Sequence, residues 1–164
     1  MLESIMRTLE DPNARHAMFV HMPIALGVLG VIPVGILALT RFRSTAARWS
    51  CVGWFAMVTI GAGFAAGAGE DARDKVIIDP LITPVELDAV NEHARLGMDG
   101  WIWPLLVLIV LSLTFIRKSW VRWPAGTLAC IGALAIAVWI SVAGHTGGKL
   151  VYQHGLGVPE RVVQ

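Results

Sequence analysis

Four long stretches of the chain contain no charged residue, and this feature limits the fold more than any other. The stretches cover residues 17–40, 49–69, 100–116 and 123–144. A helix needs roughly 17 to 25 apolar residues to cross the hydrocarbon core of a bilayer, and a helix satisfies its own backbone hydrogen bonds there. With 55% hydrophobic and only 15% charged residues, the composition is that of a membrane protein. The sequence therefore predicts an all-α fold, a membrane-embedded four-helix bundle that forms a single domain over residues 1–164.

The basic residues predict the orientation of the bundle. The connections between spans one and two and between spans three and four hold six basic residues and no acid: Arg41, Arg43, Arg48, Arg117, Lys118 and Arg122. By the positive-inside rule both connections face the cytoplasm. The N-terminus, the connection 70–99 and the C-terminal tail then lie on the outer side. The first span is not expected to be a cleaved signal peptide, because its basic cluster follows the apolar run.

The outer connection 70–99 carries its own helix signal. Thr83, Pro84 and Glu86 have the spacing of a capping box with proline at the first helical position, which predicts a helix from about residue 84. The connection holds eight acidic residues against three basic ones. This excess of negative charge fits either a solvated loop or a surface for a basic soluble partner.

Both ends of the chain are expected to lie at the outer interface. Leu2, Ile5, Met6 and Leu9 recur at helical spacing, which predicts a short amphipathic helix on the membrane surface. Several glycines follow residue 143, and they predict that the last helix ends near His145. The glycine-rich tail 145–164 is then expected to fold across the outer mouth of the bundle.

All five histidines fall on the predicted outer side: His16, His21, His93, His145 and His154. At about 1.5 Å per helical residue, His21, His93 and His145 lie roughly 30 to 36 Å from the basic end of their spans, so three helices bring imidazoles to one level. Bundles build metal and cofactor sites from facing side chains in this way, although an interfacial histidine also serves as a hydrogen-bonding group for water or headgroups. His16 and His21 point about 140° apart on a regular helix, which argues for two roles and against one shared metal ion.

The second span contains two stripes of small residues. Gly63 and Gly67 form a GxxxG pair, and Gly61, Ala65 and Gly69 form a neighbouring stripe. Such stripes let helices pack closely, and they also offer a flat surface for a planar cofactor. We keep Gly63 and Gly67 as candidate cofactor-binding residues.

The kind of cofactor follows from the residues that accompany the histidines. Structural zinc usually takes cysteine ligands, but Cys51 and Cys130 belong to the cytoplasmic start of the second span and to the interior of the fourth. The sequence contains no HExxH or carboxylate-histidine motif of the kind found at catalytic zinc or copper sites. Haem b needs two axial histidines from separate helices, an apolar slot and small residues against the ring. Covalent c-type haem attachment is excluded on this chain because it has no CxxCH. The sequence favours one or two haems b, with copper or zinc as the alternative.

Two motifs match a known family pattern. "HAMFVHMPIAL" is similar to HPxxVHFPIAL, and "GHTGGKLVYQHGLGV" resembles GHxGGxLVYxHGVGV, both from a predicted bacterial membrane family, domain of unknown function 2231. The resemblance spans nearly the whole chain, with departures at Ala17 and Met22 that remove no histidine. It implies a four-span protein of the bacterial inner membrane whose five histidines bind b-type haem and which works with redox proteins. The family has no settled activity to transfer.

We therefore expect a cytochrome-b-like electron-transfer subunit that holds its haem by bis-histidine ligation near the periplasmic face. Its expected electron partners are quinol or a partner subunit in the membrane and a redox protein, such as a cytochrome, in the periplasm. One alternative is a structural or assembly subunit of a larger complex, and another is a copper or zinc site at the outer rim. A hydrolytic activity has no support, because the sequence offers no set of nucleophile, base and orienting residue. Nucleic-acid binding has no support, because the net charge is +1 and the basic residues are confined to short turns.

Overall fold

The chain is a bundle of long helices in a computed structural model that describes Met6 and residues 9–157. Its helices are α1 (Pro12–Leu29), α2 (Val31–Leu39), α3 (Thr45–Ile77), α4 (Pro84–Gly97), α5 (Ile102–Leu113) and α6 (Ser119–Tyr152). They make four segments long and apolar enough to cross a membrane: Pro12–Leu39, Thr45–Ile77, Pro84–Leu113 and Ser119–Tyr152. The predicted all-α, four-helix architecture is confirmed. The amphipathic helix predicted at the N-terminus lies largely outside the described residues, as does the end of the tail.

The two ends of the bundle differ in chemistry. We call the end where α1 begins and α6 ends the histidine end, because all five histidines belong to it. The opposite end carries the turns 40–44 and 114–118 together with the six basic residues of the predicted cytoplasmic connections. We call it the basic end.

Local sequence signals place the starts of the helices at the histidine end. Asp11 caps α1 by accepting a hydrogen bond from the backbone N–H of Asn13 (3.2 Å), and Pro12 takes the first helical position. Thr83 and Glu86 form a reciprocal capping box at the start of α4. The helix predicted from about residue 84 is therefore confirmed, and it begins at Pro84.

The basic end is organised around Phe42. Arg41 and Phe42 both have positive φ (52° and 57°), a sharp reversal of the chain in a region that few non-glycine residues adopt. The Phe42 ring is buried and meets the ring of Trp123, with centroids 5.3 Å apart. Arg48 donates two hydrogen bonds to the carbonyl of Phe42 (3.1 and 2.6 Å). The turn between α2 and α3 is thus tied both to α3 and to the start of α6.

Polar contacts join α1 to α3 at the histidine end. Lys75 donates a hydrogen bond to Asp11 (2.8 Å), and Arg15 forms an ion pair with Asp71. The hydrogen bond from Lys75 holds the pKa of the Asp11 carboxyl below its ordinary value. Two of these residues, Asp71 and Lys75, belong to the predicted outer connection, which is helical at its start because α3 continues to Ile77.

The last helix is longer than predicted. α6 continues without a break to Tyr152, so the expectation that it ends near His145 is wrong, and residues 145–152 are not part of an irregular tail. Glycine costs only about 1 kcal/mol relative to alanine in a helix, and Gly147 packs closely against a neighbouring helix. The chain leaves the helix only before Gly155, whose φ of +67° favours glycine.

Gly126→Ala is expected to destabilise the bundle, because the added methyl group would overlap the buried ring of Phe42. Overpacking of this kind costs about 1 to 3 kcal/mol. Gly53→Ala is the matched control, since a methyl group there meets nothing within 4 Å. Thermal unfolding in detergent should give a lower melting temperature for Gly126→Ala only. Equal melting temperatures for the two variants would contradict the packing of Phe42.

Candidate functional site

A cavity of about 490 Å³ lies at the histidine end, where residues of α1, α3, α4 and α6 line it. His16, His21 and His93 belong to its wall. Much of the remaining wall is apolar or consists of small residues, among them Ala65, Ala66, Gly69, Ala143, Gly144 and Gly147. Because these side chains are short, a broad apolar space remains beside the imidazoles.

His16 is held by small residues of α3. It is half-buried, and its Nδ1 donates a hydrogen bond to the backbone carbonyl of Ala65 (3.0 Å). A carbonyl oxygen only accepts, so the neutral ring carries its proton on Nδ1. A Cβ added at Gly69 would come within 2.9 Å of His16 Cε1. The two small residues therefore admit the ring and set its tautomer.

His93 is held in the same way by α6. Its half-buried ring places Nδ1 3.0 Å from the hydroxyl oxygen of Thr146, which is itself buried. That hydroxyl donates its one proton to the carbonyl of Ala143 (2.9 Å). With the threonine proton on the Ala143 carbonyl, Thr146 accepts from His93, so Nδ1 is the donor and the neutral His93 ring also carries its proton there.

The rings of His16 and His93 lie side by side in the cavity wall. Their centroids are 6.2 Å apart and their planes are inclined by 77°. The hydrogen bonds that both rings make with described residues use Nδ1, which leaves each Nε2 lone pair for another partner. A histidine with Nδ1 hydrogen-bonded and Nε2 unprotonated is oriented to bind a metal ion. The structure thus brings together two potential ligands, one from α1 and one from α4.

The other three predicted site histidines stand apart from this pair. His21 lines the same cavity but is exposed, and its Nδ1 donates to the carbonyl of Ala17 in its own helix. His145 is exposed and His154 is half-buried, and neither lines the cavity. Within the described part of the chain, no three His, Cys, Asp or Glu residues form a group that could hold a metal ion. The predicted five-histidine site is therefore brought together only in part.

Thr146 is the site residue that sequence reasoning missed. The inward face of α6 includes Ala133, Ile136, Ile140 and Ala143, which recur every three or four residues. The same spacing continues to residues 146 and 147 and passes over His145. Successive side chains on a helix point about 100° apart. Thr146 therefore faces His93, and His145 beside it does not.

Gly63 and Gly67 do not line the cavity. Both are exposed on α3, and a Cβ added at either position would meet nothing within 4 Å. Their predicted role in binding a cofactor has no support from this cavity and stays a prediction. Ala65 and Gly69 of the neighbouring stripe line it instead, because they lie on the face of α3 that packs against α1.

Comparisons of the chain with family models, with curated proteins and with solved structures found no match. The resemblance to the domain of unknown function 2231 family therefore has no support from a matching family model. The function is therefore inferred from the cavity and its paired histidines.

Thr146→Val is expected to remove the preference of His93 for the Nδ1–H tautomer. Valine keeps the shape of threonine but lacks the hydroxyl that accepts from Nδ1. The lost hydrogen bond is worth about 0.5 to 1.5 kcal/mol. Nitrogen-15 NMR of histidine-labelled protein, without added cofactor, should show His93 changing from the Nδ1–H form to a mixture of both tautomers.

Thr127→Val is the control for this measurement. Thr127 is an exposed threonine of the same helix, so its replacement should leave the His93 resonances unchanged. An unaltered His93 tautomer in Thr146→Val would contradict the assigned hydrogen bond.

Proposed function

We propose that this chain is a membrane-bound, cytochrome-b-like electron-transfer protein in which His16 and His93 are the axial ligands of one haem b. The observation that carries the proposal is the pair itself. Two imidazoles from separate helices lie 6.2 Å apart, and each is oriented by a hydrogen bond at Nδ1. Histidines that face each other from separate helices are a common way for a bundle to hold a haem.

The number of protein ligands favours haem over a bare metal ion. Zinc sites use three or four protein ligands, and copper sites likewise combine several. Haem needs only two, because the porphyrin contributes four nitrogens of its own. Among the described residues the pair lacks a third His, Cys, Asp or Glu close enough to complete a metal site. This supports haem against the copper or zinc alternative.

The separation of the rings agrees with a shared iron. A bond between a metal ion and an imidazole nitrogen is about 2 Å long. Two rings that face one ion in line are then roughly 6 Å apart from centre to centre, close to the observed 6.2 Å. Aromatic rings in direct contact also lie about 4.5 to 7 Å apart. The 6.2 Å distance fits both arrangements. The hydrogen bonds that orient the two rings at Nδ1 are therefore needed as a second argument for a shared iron.

The cavity suits a flat apolar molecule that has acidic groups at its edge. Its volume of about 490 Å³ is typical of small-molecule sites, and its small residues leave room against the helix backbones. Arg73 borders the cavity and donates a hydrogen bond to the side-chain oxygen of Asn91 (2.9 Å). Its guanidinium is the group at this site best suited to pair with the carboxylates that haem b carries.

A haem bound here supplies reversible one-electron chemistry. The residues of this chain orient its ligands, through the Ala65 carbonyl and the Thr146 hydroxyl, and their apolar side chains limit the access of water. Since both ligands lie at the histidine end, electrons enter and leave on that side, and this chain alone provides no path across the bilayer. By the positive-inside rule that side is the periplasm. The expected partners are quinol or a membrane subunit and a periplasmic redox protein.

Replacing the paired histidines tests the proposal. The full-length chain, purified from cells supplied with haem, should show Soret and α absorption bands and contain iron. His16→Ala and His93→Ala should each lose most of this absorbance. His145→Ala is the matched control, because His145 lies at the same end of the bundle but outside the cavity. It should keep the bands in the oxidised and reduced spectra.

Elemental analysis distinguishes the alternatives. Folded protein with neither iron nor haem bands would contradict the proposal and favour a structural or assembly subunit. Stoichiometric zinc or copper without haem would favour a metal site at the rim. A loss of haem in His21→Ala or His145→Ala as large as that in His93→Ala would contradict the assigned pair.

A further inference from the structure

Arg48 is a buried cation at the basic end of the bundle. Its residue is only 9% exposed. The guanidinium uses two of its nitrogens to donate to one carbonyl, that of Phe42. The ion pairs found among the described residues all lie at the histidine end, and none involves Arg48. The guanidinium also lies over the ring of Phe115, 5.6 Å from its centroid. A buried charge without a counter-ion is unfavourable, so a bound anion would stabilise this guanidinium further.

Arg122 is a second cation beside it. Its Nε is buried and has no hydrogen-bond partner within the described residues. Trp123, the next residue along α6, packs against the ring of Phe42, whose carbonyl holds Arg48. Arg48 and Arg122 are thus linked through Phe42 and Trp123 at the basic end. Two guanidinium groups at this end, one of them with an unused buried donor, suit a negatively charged group.

The surroundings of the two arginines add positive potential. α3 and α6 both begin here, and α6 begins without a side-chain cap; helix N-termini attract anions. Four exposed basic residues surround the turns: Arg41, Arg43, Arg117 and Lys118. The sequence has no acid between Asp11 and Glu70. The turns 40–44 and 114–118 therefore carry no acidic residue that could neutralise the positive charge of the basic end.

We infer that Arg48 and Arg122 bind the phosphate group of an anionic phospholipid. The planar guanidinium fork matches phosphate oxygens better than any other side chain does. Trp120 is 73% exposed in the first turn of α6, next to the apolar outer surface of the bundle, as expected of a residue at the membrane interface. A headgroup at that level reaches the two arginines while its acyl chains stay in the bilayer.

Native mass spectrometry of the full-length chain tests this inference. Detergent-solubilised protein is titrated with phosphatidylglycerol or with phosphatidylcholine, and retained lipid is counted. We expect one phosphatidylglycerol to be retained in preference to phosphatidylcholine. Arg122→Gln should lower the apparent affinity about tenfold, since it removes a charge-assisted contact to phosphate.

Arg117→Gln is the matched control, because it removes the same charge from an exposed residue near the start of the same helix. It should change the affinity by less than about twofold, as exposed charges contribute little. Equal losses of phosphatidylglycerol affinity in the two variants would mean that the lipid is held only by diffuse attraction to positive charge, and would overturn the inference. Displacement of the lipid by millimolar inorganic phosphate would overturn the assignment to a lipid. Should Arg122→Gln fail to fold, equal retention of the two lipids by the unaltered chain would overturn it as well.

Discussion

The close packing of α1 against α3 depends on the small residues that α3 presents at the histidine end. Ala65 and Gly69 leave room for the ring of His16, and the carbonyl of Ala65 fixes the position of its proton. Larger side chains at either position would displace the ring and fill the cavity. Arg15 and Lys75 hold the same two helices together through ion pairs at the histidine end. The position of His16 beside His93 follows from this close approach.

Properties that depend on neighbours in the sequence were predictable. The uncharged runs gave the four helical segments, because a bilayer accepts few other structures. Thr83 and Glu86 marked the start of α4, since a capping box acts within one helical turn. The concentration of histidines at one end also followed from counting residues along each span. His16, His21 and His93 do line one cavity there.

Properties that depend on the direction in which a helix faces were not predictable in the same way. His145 stood at the expected depth, but α6 turns Thr146 toward His93 and leaves His145 exposed. Both glycine stripes of α3 have the spacing for close packing, and only contact with α1 selects Ala65 over Gly63 as a wall residue. The continuation of α6 past its glycines also depends on contacts with another helix, such as that between Gly147 and His93. Contacts with distant residues outweigh a small local preference against helix.

The angle of 77° between the rings of His16 and His93 offers a direct test of their proposed role as a ligand pair. If both imidazoles bound one haem iron, each would raise the energy of one iron d orbital through its ring π electrons. Nearly perpendicular rings would act on two different orbitals and leave them close in energy, whereas parallel rings would separate them. Low-temperature EPR of the oxidised, haem-loaded protein should therefore show a highly anisotropic low-spin signal. A high-spin signal from a haem with one ligand would contradict ligation by this pair, and a rhombic low-spin signal typical of parallel rings would contradict ligation at the observed ring angle.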